Sequence, residues 1–353
     1  MAAPARRVRS RPALQPAGRA GSLGARRALV LCTPEQAALA AQVAGQLGTR
    51  CAGVFDKAVM HVPIEIAHQA RELATRLGAD CCVAIGGGST IGLGKAIALT
   101  SGLPVLAVPT TFAGSEMTAV WGLTEAGVKK TGRDPRVLPR TVIYDVQLLA
   151  TLPAAIAVPS GINAIAHCVE ALYAVDGNPV IALIAEEGIR ALAASLPSIG
   201  AASGAPIPEA VLGQAFYGAW LAGMSLNGSS MALHHKLCHT LGGTLNLPHA
   251  QTHTVVLPHA VAYNQSHAPD AMRRISRALG EYGSQGAARG LFRLAKAAGA
   301  PTSLAELGVS RAALPGIADL AVSNAYPNPR PIEREALLAL LGQALEGIEP
   351  AAA

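Results

Sequence analysis

The run Asp-Cys-Cys-Val-Ala-Ile at residues 80–85 leads directly into Gly86-Gly87-Gly88-Ser89-Thr90, and helix-forming residues then continue to Thr100. A short apolar strand, a glycine turn and a helix in immediate succession is the unit from which parallel sheets are wound. The same order recurs along the first half. Residues 27–32 (RALVLC) precede Thr33-Pro34 and an Ala-rich helix to Leu47, and residues 51–55 (CAGVF) precede a helix over 63–77. Residues 104–108 (PVLAV) and 141–144 supply two further strands. The fold class expected is therefore an α/β domain with a parallel sheet over residues 25–152, followed by a second domain of another texture. After Leu152-Pro153, helical patterns follow one another with short Pro/Gly breaks: 161–174, 180–195, 209–224, 231–241, 270–279, 286–298 and 334–345. An all-helical domain is expected over 153–353, and there is no internal repeat.

Composition narrows the function classes. Apolar residues make up 51% of the chain and aromatics 3%, with Ala and Gly carrying much of the former, which favours tightly packed helices over an all-β fold. The formal charge of +6 is misplaced evidence for a polyanion partner. Seven arginines and no acids lie in the first 27 residues, and the remainder holds 21 basic against 22 acidic residues. A near-neutral body excludes nucleic acid as a partner. Residues 1–24 read as a disordered basic tail without a secretory apolar core. The uncharged stretch 210–233 contains Gln214, Ser225, Asn227 and several glycines, so a buried helix fits it better than a membrane span. Six cysteines form no C-x-x-C pair, which suits free thiols in a reducing, cytoplasmic compartment.

Gly86 to Ser89 can let a pyrophosphate approach the backbone and meet amides at the helix N-terminus. A Rossmann fingerprint would need Gly at Ile91, and a Walker loop would need Gly at Ser89 and Ser or Thr after Lys95, where Ala96 stands. What remains is a dinucleotide loop of another spelling, or a structural turn. The next strand ends in Pro109-Thr110-Thr111-Phe112-Ala113-Gly114-Ser115-Glu116, which places three hydroxyls at the same sheet edge.

Histidine is concentrated in the second half. Six of the chain's ten lie between His234 and His259, with His235/His239 and His249/His253 each at i, i+4 on one helical face. Gly242-Gly243 should end the first of these helices and Pro248 should open the second. Upstream, Asn163 and His167 share the same spacing. The cluster should handle either an anion or a metal.

Taken together, GGGS after a strand, PTTxAGSE, NAxAHxxE and HxxxHxLGxxxxxPH resemble the iron-containing alcohol dehydrogenase family, in family order from about residue 25 onward. More narrowly, residues 86–95 (GGGSTIGLGK), 129–139 (KKTGRDPRVLP), 161–173 and 326–331 (YPNPRP) resemble its maleylacetate reductase branch. The resemblance implies a dehydroquinate-synthase-like fold with its active site in the cleft between the domains, NADH or NADPH as cofactor, and a small dicarboxylate substrate. The reaction implied is reduction of the carbon–carbon double bond of maleylacetate to 3-oxoadipate, in a homodimer. Metal-dependent members bind iron or zinc through an Asp and three His. The His positions match His167, His235 and His249, but the Asp position is Asn163, so no catalytic metal is expected. His239 and His167 are then expected to donate to the developing enolate or relay its proton. His235 and His249 would orient them or bind a carboxylate, Asn163 would donate its amide, and Tyr326 could add a hydrogen bond. Lys236 and Arg330 are candidate carboxylate partners, although residues 326–331 could equally be a surface turn. Gly86, Gly87, Gly88 and Ser89 should meet the pyrophosphate, Thr110, Thr111 and Ser115 the phosphates and nicotinamide, and Lys129 the ribose. Thr33 stands where many NAD-specific relatives carry an Asp, so NADPH should be tolerated. Rival readings are a metal-dependent alcohol or glycerol dehydrogenase and a lyase of the dehydroquinate-synthase type. A non-catalytic nucleotide module would leave the histidines unexplained.

Overall fold

The computed structural model describes residues 5–8 (backbone only), 24–126, 128–202, 205–323 and 325–352, with the side chains of 128 and 129 also outside the description. The chain divides into two compact units, Met1–Thr151 and Leu152–Ala353.

The first unit is built on β1 (Ala5–Val8), β2 (Ala28–Leu31), β3 (Cys51–Phe55), β4 (Cys81–Gly86), β5 (Val105–Pro109) and β8 (Thr141–Tyr144). They form one sheet in the order β1-β8-β5-β4-β2-β3, every pairing parallel. Helices α1 (Ala37–Leu47), α2 (Ile64–Arg76) and α3 (Gly88–Ser101) connect the strands. All residues of β4 and β5 are buried, as continuous apolar runs in a covered parallel sheet must be. Val30, Val43, Val83, Ile85, Leu106 and Val108 form the heart of this core. The order fixes where a ligand can go. From β2 the chain moves to β3 on one side, then returns past β2 to β4 on the other. The carboxyl ends of β2 and β4 are thus a topological switch point, where open parallel sheets bind ligands.

Two features depart from the expectation. Ala5–Val8, inside the stretch expected to be a disordered tail, pairs with β8 and extends the sheet by one strand. Arg6 and Arg7 carry no apolar periodicity, so the pairing is made by the backbone rather than advertised by the side chains. Residues 120–133, to which no element was assigned, form an antiparallel hairpin of β6 (Val120–Glu125) and β7 (Val128–Arg133). Its polar alternation suits a two-stranded ribbon with little to bury.

The second unit consists of α4 (Ala154–Ala171), α5 (Pro179–Gly200), α6 (Glu209–Gly228), α7 (Leu233–Leu245), α8 (His249–Asn264), α9 (Pro269–Ala278), α10 (Ala287–Ala297), α11 (Leu314–Ser323) and α12 (Arg334–Glu346). Small residues set its packing. A Cβ at Gly218 of α6 would stand 2.7 Å from Leu192 and 3.2 Å from the Gly188 carbonyl of α5, so the two helices approach closer than alanine permits. Leu233, Leu237, Leu241, Val256, Leu341 and neighbours form a second core, each contributing about 1.5–3 kcal/mol by burial. α4 is the one helix, among the described residues, long and apolar enough to cross a membrane, and 83% of it is buried inside the unit.

Helix limits also differ. α4 begins seven residues before the expected start and runs through Pro159, whose missing N–H costs it one bond. α7 does not stop at Gly242-Gly243 but continues to Leu245, where Asn246 adopts the left-handed conformation (φ +52°) that closes it. Two glycines lower helix propensity by about 1 kcal/mol each, which packing of Leu241 and Leu245 on the core can offset. α8 opens at His249 behind Pro248, as expected, and passes through Pro258. α11 was not anticipated at all.

Candidate active site

In the first unit three loops meet at the switch point. Gly86 ends β4 with φ +150°, and a Cβ there would lie 2.5 Å from Thr90 Oγ1 and 2.6 Å from Gln36 Oε1. Glycine is therefore required by both backbone and space. α3 starts at Gly88 with no side-chain cap, so its first-turn amides are open to an anion. Gln36, from the loop after β2, donates through Nε2 to Thr110 Oγ1 at 2.8 Å. Thr110 N donates to the Gly86 carbonyl, and Thr111 packs against Gly87. Ser115 follows Gly114 (φ +74°) and begins a short 3-10 turn. Gly86, Gly87, Gly88, Ser89, Thr110, Thr111 and Ser115 are thus assembled at one edge, with Gln36 as a member that the sequence reading missed. The Lys129 side chain lies outside the described residues.

Behind the loops stands a buried polar group. Lys95 is 1% exposed and donates to Thr118 Oγ1 at 2.9 Å and the Val120 carbonyl at 2.8 Å. Burial pushes its ammonium down to about 7, partly opposed by Glu116. Burial raises the Glu116 carboxyl, which accepts from Tyr144 Oη at 2.9 Å. Lys95 is turned into the interior and braces the segment after Ser115. It does not face a phosphate as a Walker lysine would.

The second unit gathers the histidines. Asn163 and His167 project from α4, and both are 4% exposed. The His167 ring stacks on His235 of α7 at 5.1 Å between centroids. His235 lies edge-on to His239 at 6.0 Å and to His253 of α8 at 4.8 Å. His239 stacks with His249 at 6.3 Å, and its Nδ1 lies 3.4 Å from Tyr326 Oη. His167, His235, His239, His249 and Tyr326 of the predicted set are therefore joined ring to ring, and Asn163 lies one turn before His167 on α4. His234 and His253, absent from the predicted set, form its floor through a 2.9 Å contact between His234 Nε2 and His253 Nδ1. Burial foremost, then neighbouring histidines, holds the imidazolium forms of His167, His234 and His253 well below the usual range. These three are neutral rings at neutral pH. Burial, then Glu170, raises the Tyr326 phenol, so its proton stays in place.

Glu170, one turn beyond His167, is fully buried and had no assigned role. Its Oε1 accepts from His234 N at 2.7 Å, and its Oε2 accepts from Ala232 N at 2.8 Å and His235 Nδ1 at 2.7 Å. Residues 326–331 are equally fixed. Asn328 and Asn264 exchange reciprocal amide bonds of 2.9 and 2.7 Å, Asn328 Oδ1 accepts from Leu233 N, and Tyr263 Oη donates to the Pro331 carbonyl. The surface-turn alternative fails on these bonds. The segment holds Tyr326 against His239 and stacks the Arg330 guanidinium over Tyr263 at 4.2 Å, while Lys236 Nζ lies 5.8 Å from the centre of the Tyr326 ring.

Among the described residues, the group of histidines, cysteines or carboxylates with donor atoms within 4.8 Å of one another is His234, His235 and His253. It differs from the His167, His235 and His249 set that matches the family's ligand positions, and two of its donors already face each other.

Comparison with known proteins agrees with this arrangement. Residues 6–146 match the iron-containing alcohol dehydrogenase family model and residues 157–345 match the model of the Fe-containing alcohol dehydrogenase family, C-terminal. The chain is 60% identical to a maleylacetate reductase of Burkholderia cepacia over 329 residues, covering 93% of this chain and 92% of the relative. The crystal structure of maleylacetate reductase from Rhizobium sp. strain MTP-10005 superposes with a TM-score of 0.89 at 48% identity, covering 95% of this chain and 93% of that one. That of an iron-containing alcohol dehydrogenase from Corynebacterium glutamicum superposes with a TM-score of 0.88 at 45% identity, covering 95% and 92%. The two-unit fold is therefore shared with these relatives, and this chain belongs to the iron-containing alcohol dehydrogenase family, on the branch of the maleylacetate reductases.

Proposed function

We propose that the chain uses NADH or NADPH to reduce the carbon–carbon double bond of maleylacetate and its substituted forms, giving 3-oxoadipate in the breakdown of aromatic compounds. One observation carries the reading beyond its relatives' names. The site is a cluster of hydrogen-bonding rings in which, among the described residues, the carboxylate that reaches the histidines is already committed.

Iron fits this site poorly. The family's Asp position is Asn163, a neutral amide, and the carboxylate that reaches the histidines, Glu170, is committed to three N–H groups. Without that Asp oxygen the histidines would hold an ion through neutral donors only, with no ligand charge to offset its own, as in three-histidine zinc sites but unlike the Asp-plus-three-His set of the family. A nicotinamide coenzyme fits the first unit better. The glycine cradle, the uncapped start of α3 and the buried, partnerless Thr90 Oγ1 and Gln36 Oε1 suit a pyrophosphate and its ribose hydroxyls. Thr33 itself is no acid, which is the ground for expecting a 2′-phosphate to be tolerated, although Glu35 bonds to Thr33 and Asp56 lies near Cys32 at this strand end.

The dihydronicotinamide, when bound, supplies the hydride, and its addition to the alkene carbon β to the ketone turns the enone into an enolate. An enolate is far less basic than the alkoxide of a simple ketone, so hydrogen-bond donors can stabilise it without a Lewis acid. In this reading His167 and His239 donate, with Tyr326 Oη, 3.4 Å from His239 Nδ1, as a further donor and Asn163 offering its amide. General-acid assistance of this kind is worth about 10²–10⁴-fold. His235 and His249 orient the donors, and Lys236 and Arg330 hold the substrate carboxylates. We further expect a cytoplasmic homodimer, in keeping with six free cysteines.

The test is coenzyme oxidation by purified protein with maleylacetate against simple aldehydes and ketones, before and after dialysis with a chelator. Maleylacetate should be turned over with both NADH and NADPH, should yield 3-oxoadipate, and should be insensitive to chelation. Chelator-sensitive turnover that prefers simple carbonyl compounds would point instead to a metal-dependent dehydrogenase.

A further inference from the structure

Glu170 is the deepest charge beside the histidines, and it touches none of the groups given a role in chemistry except His235. A fully buried carboxylate is costly unless its lone pairs are satisfied. Here they accept from Ala232 N, His234 N and His235 Nδ1. The third bond has a chemical consequence. A carboxylate accepts only, so the proton between the two must sit on Nδ1 of the ring. In a neutral imidazole the other nitrogen, Nε2, is then a bare lone pair. That Nε2 is buried and has no hydrogen-bond partner in the protein. The His167 ring stacks against this one, and Asn163 Oδ1 is likewise buried and without a partner.

We propose that Glu170 is a positioning residue of this site, which locks His235 in the Nδ1–H tautomer so that its Nε2 serves as a hydrogen-bond acceptor. The idea rests on the reductive reading above and divides the labour within it. His235 receives a hydrogen bond, from water or from a hydroxyl of the ligand, and cannot donate one to the enolate oxygen. Donation falls to His167, His239, Asn163 and Tyr326. Glu170 also ties this choice to the backbone, since the carboxylate that sets the tautomer caps the first turn of the helix that carries the ring. Ring orientation and helix position are therefore one constraint.

The experiment is long-range proton–nitrogen NMR of protein labelled with ¹⁵N-histidine, with the His235 signals identified by their loss in His235→Gln. Wild-type protein should show a pyrrole-like Nδ1 and a pyridine-like Nε2 at this residue. In Glu170→Gln the amide cannot accept from all three donors, and the His235 tautomers should mix or invert. kcat should fall by about 10- to 100-fold, the range for a lost partner behind a functional histidine, while the KM for NADH stays unchanged. Glu170→Asp should retain the wild-type tautomer. A pyridine-like Nδ1 in the wild type, protons on both ring nitrogens, or a folded Glu170→Gln with kcat within about twofold of wild type would overturn the proposal. The NMR measurement needs no substrate, so it keeps its meaning even if maleylacetate proves not to be reduced.

Discussion

At Gly86 one hydrogen in place of a methyl group decides whether the turn after β4 can form. Its φ of +150° excludes most side chains, and a Cβ would collide with Thr90 in the first turn of α3 and with Gln36 in the segment after β2. Gly86→Ala should leave the helical unit folded but push these loops apart. The KM for NADH is expected to rise more than about tenfold, equivalent to about 1.4 kcal/mol of lost binding, with kcat affected less. Steady-state kinetics at saturating maleylacetate would check it, and a KM within twofold of wild type would show that the cradle is not where the coenzyme binds. Asn163 makes the complementary case. There a change of one atom, oxygen to nitrogen, replaces the anionic ligand expected at the family's Asp position by a neutral amide.

Among the elements, legibility followed periodicity. The strands β2 to β5 and β8 are continuous apolar runs bounded by Gly and Pro, and the helices of the second unit bury wide apolar faces, so both could be placed from the residues. The hairpin β6–β7 could not, because its polar residues carry no buried face. β1 could not, because a strand on the edge of a sheet needs only its backbone to pair. The end of α7 was misplaced because two glycines look like a stop, while the local preference is overridden by core packing beyond them. In the site, histidine spacing revealed His235, His239 and His249, since i, i+4 places rings on one face. Glu170, Gln36, Asn264 and Asn328 stayed hidden for a different reason. Each acts through a partner distant in the chain, and no periodicity records that.

For the whole chain, the buried histidines predict how the fold responds to acid. Burial keeps His167, His234 and His253 well below the usual range, and brings His259 to about 4. The unfolded chain takes up these protons near pH 6.5, whereas the folded chain does not until much lower. The stability these four rings contribute is thus intact above about pH 6.5 and is lost as pH falls below it, whereas the contribution of Lys95, lowered from 10.5 to about 7, is already lost by pH 7. Four such groups together can remove on the order of 5 kcal/mol per pH unit at the steepest point, a large part of a total of about 5–15 kcal/mol. The raised Glu116 carboxyl works in the opposite sense, one group against four. Urea midpoints should fall sharply between pH 6.5 and about 5.5, and a flat profile would mean that these rings already carry protons in the folded state.

The capping of α7 reaches further than the site. Its first amides are held by Glu170, 62 and 64 residues earlier, and by Asn328, 95 residues later. A helix capped by its own sequence frays one turn at a time, but here fraying requires α4 and the 326–331 segment to let go together. Amide hydrogens of Ala232, Leu233 and His234 should therefore exchange with solvent only when the helical unit opens as a whole, at rates matching its deepest core rather than those of a helix end. Exchange-protection measurements would show the start of the histidine helix as one of the last places in the protein to meet heavy water.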